Sequence, residues 1–112
     1  MLEIDRTARA QVAAPPAHCV ERLADVQDYP RWASLITSAA RIGESRVRLR
    51  AELLGVGFEM DCELELGDDW VVLRRLPNDD GDDERFEAVW TAAPGELTLH
   101  VTAALDAPGP AR

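Results

Sequence analysis

The sequence contains no lysine, two cysteines, few aromatic residues and no long apolar run. Its twelve basic residues are all arginines and face 21 aspartates and glutamates, so the formal net charge is −9. An acidic surface is repelled by phosphate backbones and by anionic bilayers, which argues against nucleic-acid partners and against stable membrane insertion. No segment approaches the roughly 18 apolar residues that a membrane-spanning helix needs.

The first ten residues lack the basic and apolar regions of a secretory signal peptide, so we expect a cytoplasmic protein. A length of 112 residues indicates one domain, residues 1–112. Cys19 and Cys62 form no C-x-x-C pair and are predicted to be reduced core residues. The sequence has no phosphate-binding glycine loop, no nucleophile elbow and no metal-spaced His/Cys set, so we assign no catalytic residue, metal or cofactor.

Two short helices are predicted between residues 15 and 36. Pro15 and Pro16 suit the first turn of a helix that runs to about Ala24. Asp28 is a plausible N-cap for a second helix that begins near Pro30. The apolar face of this second helix consists of Trp32, Leu35 and Ile36.

The rest of the chain alternates apolar and polar residues with the period of half-buried strands. Strands are predicted at residues 2–12, 38–43, 46–53, 58–66, 70–76, 85–93 and 97–103. The second of these is a weak edge strand, with Ala40 and Ile42 facing inward. One strand, two helices and six further strands predict an α+β fold. His18 and His100 fall away from the apolar faces, so we expect both to lie on the surface.

The third and fourth strands carry complementary charges on their polar faces. A four-residue connection would pair Leu53 with Phe58. The same register sets Arg50 opposite Asp61, Arg48 opposite Glu63, and Arg46 opposite Glu65. The arginine run is therefore interpreted as a salt-bridged outer face rather than a phosphate-binding patch.

The fifth strand has no unique inward face. If Trp70 and Val72 point inward, so does Arg74; if Val71 points inward, so does Arg75. An inward arginine needs a partner, because burying an unpaired charge is unfavourable. It either lies near the strand end and reaches solvent, or it orients an anionic or carbonyl-bearing ligand. The acidic segment 77–84 lacks calcium-loop spacing and is interpreted as a solvated hairpin tip.

One stretch of the chain resembles a known superfamily. The matching residues are Ala14-Pro15-Pro16, Val20, Leu23-Ala24-Asp25-Val26, Tyr29-Pro30 and Trp32. With the order of strands, they make the sequence similar to the START-like, Bet v 1-like superfamily (SRPBCC), and within it to the bacterial polyketide cyclase/dehydrase and coenzyme Q-binding branch. The resemblance implies a helix-grip fold. In that fold a curved seven-stranded antiparallel sheet surrounds a long C-terminal helix and an apolar ligand cavity.

The resemblance also implies a helix after Leu105, whereas the chain stops at Arg112. We therefore expect a C-terminally truncated domain whose concave face is exposed and favours a homodimer. The residues expected to line the ligand cavity come from the second helix and the inward faces of the strands. They are Trp32, Leu35, Ile36, Leu49, Leu53, Phe58, Met60, Cys62, Arg74, Arg75, Trp90 and Leu99.

Three functions are compatible with these features. The first is binding of a hydrophobic small molecule (a lipid, polyketide or quinone-like compound) in the cavity. The second is a polyketide cyclase, aromatase or dehydratase, in which Arg74 or Arg75 polarises a carbonyl group. The third is a protein-interaction module of the same fold. The sequence favours the first, because no inward histidine or carboxylate is evident as a catalytic base.

Overall fold

A computed structural model describes residues 2–32, 36–53, 55–77 and 84–105 of the chain. The helical elements are α1 (Pro16–Ala24), a 3₁₀ turn (Val26–Asp28) and α2 (Tyr29–Trp32). The strands are β1 (Leu2–Gln11), β2 (Ile36–Arg41), β3 (Arg46–Leu53), β4 (Val56–Leu66), β5 (Trp70–Arg75), β6 (Arg85–Ala93) and β7 (Glu96–Leu105). The C-terminal helix that the sequence resemblance implies falls on residues 106–112, outside the described part of the chain.

The seven strands form a single curved antiparallel sheet. Its order is β1-β7-β6-β5-β4-β3-β2, so β1 and β2 are the two edges. Strands that are neighbours in the sheet are also consecutive in sequence, except that β1 pairs with β7, the last strand. This arrangement, with two short helices after the first strand, confirms the predicted α+β helix-grip architecture.

The segment from α1 to α2 packs across the inner face of the sheet. Leu23, Val26 and Tyr29 belong to the same buried cluster as the inward residues of the central strands. The ring of Tyr29 meets Trp90 edge to face, with centroids 5.7 Å apart and an interplanar angle of 62°. Such aromatic pairs add about 0.5–1.5 kcal/mol beyond the area they bury. The helical segment is therefore part of the core.

This packing corrects the expectation of an exposed concave face. Of the residues expected on that face, Leu49, Phe58, Met60 and Trp90 are 8% exposed or less and Leu99 is half-buried, while the side chain of Leu53 lies outside the described part of the structure. The helical segment contributes to this cover, because Leu23, Val26 and Tyr29 belong to the same buried cluster. The argument for a homodimer through these residues therefore loses its basis.

Local contacts position the helical segment. Pro15 precedes α1 in an extended conformation, and proline occupies the first turn as predicted. At the other end of α1, the Arg41 guanidinium donates to the Ala24 carbonyl oxygen across 3.1 Å, which ties the helix to β2. Asp28 directly precedes α2, and its carboxylate accepts a hydrogen bond of 3.3 Å from Arg31.

The predicted register between β3 and β4 is wrong by two residues. Leu53 pairs with Val56, so the connection is a two-residue turn that contains Gly55. Gly55 has a φ of +78°, a conformation that glycine adopts without the steric penalty of a side chain. Arg48 consequently lies opposite Asp61 and Arg46 opposite Glu63. A shift of two keeps every side chain on its predicted face, because strand side chains alternate with period 2.

The inward residues of β2 also differ from the prediction. The register against β3 shifts between Ile36 and Ser38, which marks a β-bulge or similar irregularity. Ile36 and Ala39 consequently pack against the core, whereas Ala40 and Ile42 are exposed. A bulge adds one residue to one strand and so reverses the facing of the residues beyond it, which period-2 alternation cannot anticipate.

A candidate ligand-binding cavity at one end of the sheet

Packing of β5 decides which arginine faces inward. Val71 and Leu73 are almost completely buried, so Arg75 shares their face and lies opposite Cys62 on β4. The side chain of Arg75 is only 6% exposed. Arg74 points to the outer face, is 50% exposed, and pairs with two carboxylates. The sequence leaves both arginines open for the inner face, and the structure assigns Arg75 to it.

The Arg75 guanidinium is paired with Glu84, which directly precedes β6. Its Nη1 donates to the Glu84 main-chain oxygen across 3.1 Å. Its Nη2 donates to Glu84 Oε1 across 3.4 Å. A guanidinium stays charged in proteins, so it needs such a partner when it leaves solvent. The pair joins the end of β5 to the beginning of β6.

A cavity of about 1150 Å³ lies at this end of the sheet. It is formed where β5 ends and β6 begins, together with the neighbouring parts of β7 and β1. The described residues that line it are Glu3, Ile4, Asp5, Arg74, Arg75, Pro77, Glu84, Arg85, Phe86, Glu87, Thr102, Ala103 and Ala104. Its volume exceeds the roughly 300–1,000 Å³ of typical small-molecule sites, because it is an open cleft rather than an enclosed cavity.

Apolar and charged groups both contribute to the cavity lining. Ile4, Ala103 and Phe86 form one row across three adjacent strands, because Ala103 pairs with Ile4 on one side and with Phe86 on the other. The described lining also carries four carboxylates and three guanidiniums. Alternation along the strands puts Glu3, Asp5, Arg74, Arg85 and Glu87 on the outer face, so Arg75 is the strand cation that shares the inner face with the apolar row among the described lining residues.

Several of the lining charges are paired within the sheet. Arg74 Nε donates to Glu87 across 2.8 Å and its Nη1 to Glu65 across 3.1 Å. His100 Nε2 lies 2.7 Å from the carboxylate of Asp5, on the exposed surface. The hydrogen bonds to Glu87 and Glu65 raise the pKa of Arg74 above its ordinary value. These pairs lie on the outer face of the sheet, across β4, β5 and β6 and across β7 and β1.

Of the predicted site residues that the structure describes, Arg74 and Arg75 line this cavity. Among the others, Leu49, Phe58, Met60, Cys62 and Trp90 are buried in the core. Ile36 and Leu99 are half-buried and pack against that core. Leu35 and the side chains of Trp32 and Leu53 lie outside the described part of the structure. The assignment of these residues to a ligand site stays a prediction.

The prediction from sequence misses the apolar row and Glu84. Alternation already places Ile4, Phe86 and Ala103 on inward faces, and each is half-buried or buried in the structure. What the sequence does not contain is the register that aligns them across three strands. Glu84 is predicted to belong to a solvated hairpin tip, whereas its side chain is 22% exposed and pairs with Arg75.

The cysteines and histidines supply no further site. Cys19 and Cys62 are buried free thiols, as predicted. Burial raises the pKa of Cys62 to about 12, with a smaller contribution from the Asp61 carboxylate, which favours the protonated thiol at neutral pH. His18 and His100 are exposed, also as predicted. Within the described residues, no three His, Cys, Asp or Glu side chains are grouped to hold a metal ion, and no helix is long and apolar enough to cross a membrane.

Comparisons with known proteins find similarity of structure only. No protein-family model matches the sequence, and no curated protein matches it. A START superfamily protein from Mycobacterium smegmatis superposes with a TM-score of 0.66 at 17% identity, over 98% of this chain and 80% of that one. A second match is the Zhui aromatase/cyclase from Streptomyces sp. R1128, with a TM-score of 0.64, 18% identity and coverage of 98% and 72%.

A third match is the protein TTHA0849 from Thermus thermophilus. It superposes with a TM-score of 0.71 at 22% identity, over 94% of this chain and 77% of that one. At such identities, a shared fold is what these superpositions establish. They do not transfer a ligand or an activity, because one fold hosts many functions.

Proposed function

We propose that this chain, which has the START-like, Bet v 1-like fold, binds a hydrophobic small molecule in the cavity at the junction of β5 and β6. The observation that carries the proposal is a cavity of about 1150 Å³ that combines an apolar row with a buried, paired arginine. Pockets for small molecules are typically lined by apolar groups and a few placed polar ones.

The apolar row supplies the binding free energy in this proposal. Removing apolar surface from water contributes about 25 cal/mol per Å², so a buried aromatic ring contributes about 1.5–3 kcal/mol. Phe86 is half-buried and lines the cavity, so part of its ring remains available to a ligand. Arg75 orients the ligand in this proposal, because its planar guanidinium presents N–H donors in fixed geometry.

A neutral fluorescent probe, N-phenyl-1-naphthylamine, tests the proposal. We expect it to bind the wild-type chain with increased emission. Phe86→Ala should weaken binding about tenfold, the equivalent of about 1.4 kcal/mol of lost contact. Leu97→Ala is the matched control, because Leu97 is also half-buried on the inner face but does not line the cavity. Thermal unfolding of both variants would verify that they are folded.

Two results would contradict the proposal. One is the absence of probe binding at concentrations where the protein is folded. The other is equal affinity of the wild type, Phe86→Ala and Leu97→Ala, which would place any binding elsewhere. A selective loss in Phe86→Ala supports a ligand site at this end of the sheet.

The similarity to the Zhui aromatase/cyclase favours a second candidate, an enzyme that cyclises or aromatises a polyketide-like substrate. Arg75 is suited to polarise a carbonyl group, and the adjacent Glu84 carboxylate to accept a proton. Incubation with a linear poly-β-ketone and detection of aromatic product by absorbance and mass spectrometry tests this candidate. Product formation no faster than in buffer, or equally fast with Arg75→Gln, would exclude it.

A further inference from the structure

We infer that the cavity selects neutral, carbonyl-bearing apolar molecules over carboxylates of the same shape, and that Glu84 sets this selectivity. The inference rests on the proposed binding function and adds to it a ligand class and a specificity-determining residue. It follows from how the charges of the lining are arranged and paired.

The described lining is slightly acidic. Its guanidiniums are those of Arg74, Arg75 and Arg85, and its carboxylates are those of Glu3, Asp5, Glu84 and Glu87. The chain as a whole carries a formal net charge of −9. Five of these groups lie on the outer face of the sheet, and Arg75 and Glu84 form a pair without net charge, so a ligand carboxylate on the inner face meets no net positive charge.

The buried cation of the site is already compensated. Arg75 is the lining arginine whose side chain is 6% exposed, and it is bound by the main-chain oxygen and the carboxylate of Glu84. Arg74 is half exposed and held by Glu65 and Glu87. Arg85 is exposed, so solvent screens its charge.

A carboxylate ligand at Arg75 would have to displace Glu84 or share the guanidinium with it. In the first case the hydrogen bond between Arg75 and the Glu84 carboxylate is lost, and in the second two like charges lie side by side. A ketone oxygen adds no charge and can share an N–H that already has an acceptor, as three-centre hydrogen bonds do. The same position therefore discriminates between two ligands of nearly equal size.

The matched ligands for a test are 2-acetylnaphthalene and 2-naphthoate, which share one ring system and differ in the charge of the carbonyl group. Their affinities are measured at pH 7.5 by displacement of N-phenyl-1-naphthylamine and by calorimetry. We expect the ketone to bind at least about tenfold more tightly than the carboxylate. Glu84→Gln should reduce this ratio to below about threefold, mainly by strengthening the binding of 2-naphthoate.

Glu52→Gln is the control for net charge. It removes one carboxylate from an exposed position on β3, outside the described cavity lining, and should keep the wild-type ratio. The inference is overturned if 2-naphthoate binds the wild type as tightly as the ketone. It is also overturned if Glu84→Gln and Glu52→Gln show the same ratio. Failure of the probe and both naphthalenes to bind would instead overturn the proposed function, and this inference with it.

Discussion

Tyr29 is the residue whose removal should damage the fold most specifically. It is fully buried between the helical segment and the sheet. Its hydroxyl donates to the Leu23 carbonyl oxygen across 2.5 Å, and its ring packs edge to face on Trp90. Tyr29 thus contacts α1 through its hydroxyl and β6 through its ring, so its substitution tests whether the helical segment is anchored to the inner face.

Two substitutions separate the two contacts. Tyr29→Ala removes the ring and leaves a cavity, and large aromatic-to-alanine changes in cores cost about 3–5 kcal/mol. Tyr29→Phe keeps the ring and deprives the buried Leu23 carbonyl of this donor, which costs about 1–2 kcal/mol. Domains of this size have total stabilities of about 5–15 kcal/mol, so the alanine variant should lose a large share of its own. Urea unfolding followed by tryptophan fluorescence measures both values.

The pH dependence gives an independent check. Burial raises the pKa of the Tyr29 hydroxyl above its ordinary value of 10.0, and the Asp25 carboxylate raises it further. The folded state then holds this proton more tightly than the unfolded state, so stability falls as the pH rises above 10. The decline should be steeper in the wild type than in Tyr29→Phe; the raised pKa of Cys62 contributes equally to both proteins. The reasoning would be refuted if stability declined equally with pH in the wild type and in Tyr29→Phe. It would also be refuted if Tyr29→Ala lowered the free energy of unfolding by less than about 1 kcal/mol.

Two further predictions concern thiol reactivity and a turn. Because burial raises the pKa of Cys62 to about 12, Cys62 in a native Cys19→Ser variant at pH 8 should react with a disulfide reagent at least about a hundredfold more slowly than in the same variant unfolded in urea, and comparable rates would contradict this. A Cβ added at Gly67 would overlap the indole of Trp70, so Gly67→Ala should displace that ring, shift tryptophan emission to the red and destabilise the fold by about 1 kcal/mol. Gly57→Ala meets open space and should leave the emission unchanged; the same spectrum for both variants would show that Trp70 does not lie over Gly67.

Local alternation is enough to predict most of the fold. It places Val47, Leu49, Met60 and Cys62 on the inner face, and all four are buried. It cannot orient β5, because Val71 and Val72 are both apolar and either phase satisfies the pattern. Only the neighbouring strands resolve that choice, through the pairing of Leu73 with Leu64 on β4 and Ala88 on β6.

The candidate site is harder to predict because its position depends on non-local register. Ile4 and Phe86 are separated by most of the chain, yet the pairing of β1 with β7 and of β7 with β6 brings them into one row with Ala103. Nothing in the sequence indicates that Glu84 pairs with Arg75, since the acidic run before β6 has the composition of a solvated turn.

The measurement that tests the central claim most directly is the recovery of a ligand bound in the cell. The wild type, Phe86→Ala and Leu97→Ala would be purified from the natural host without detergent, extracted with organic solvent and examined by mass spectrometry. The account predicts close to one equivalent of a single apolar compound with the wild type and Leu97→Ala, and strong depletion with Phe86→Ala. Extracts without a stoichiometric apolar compound, or equal amounts from all three proteins, would contradict it.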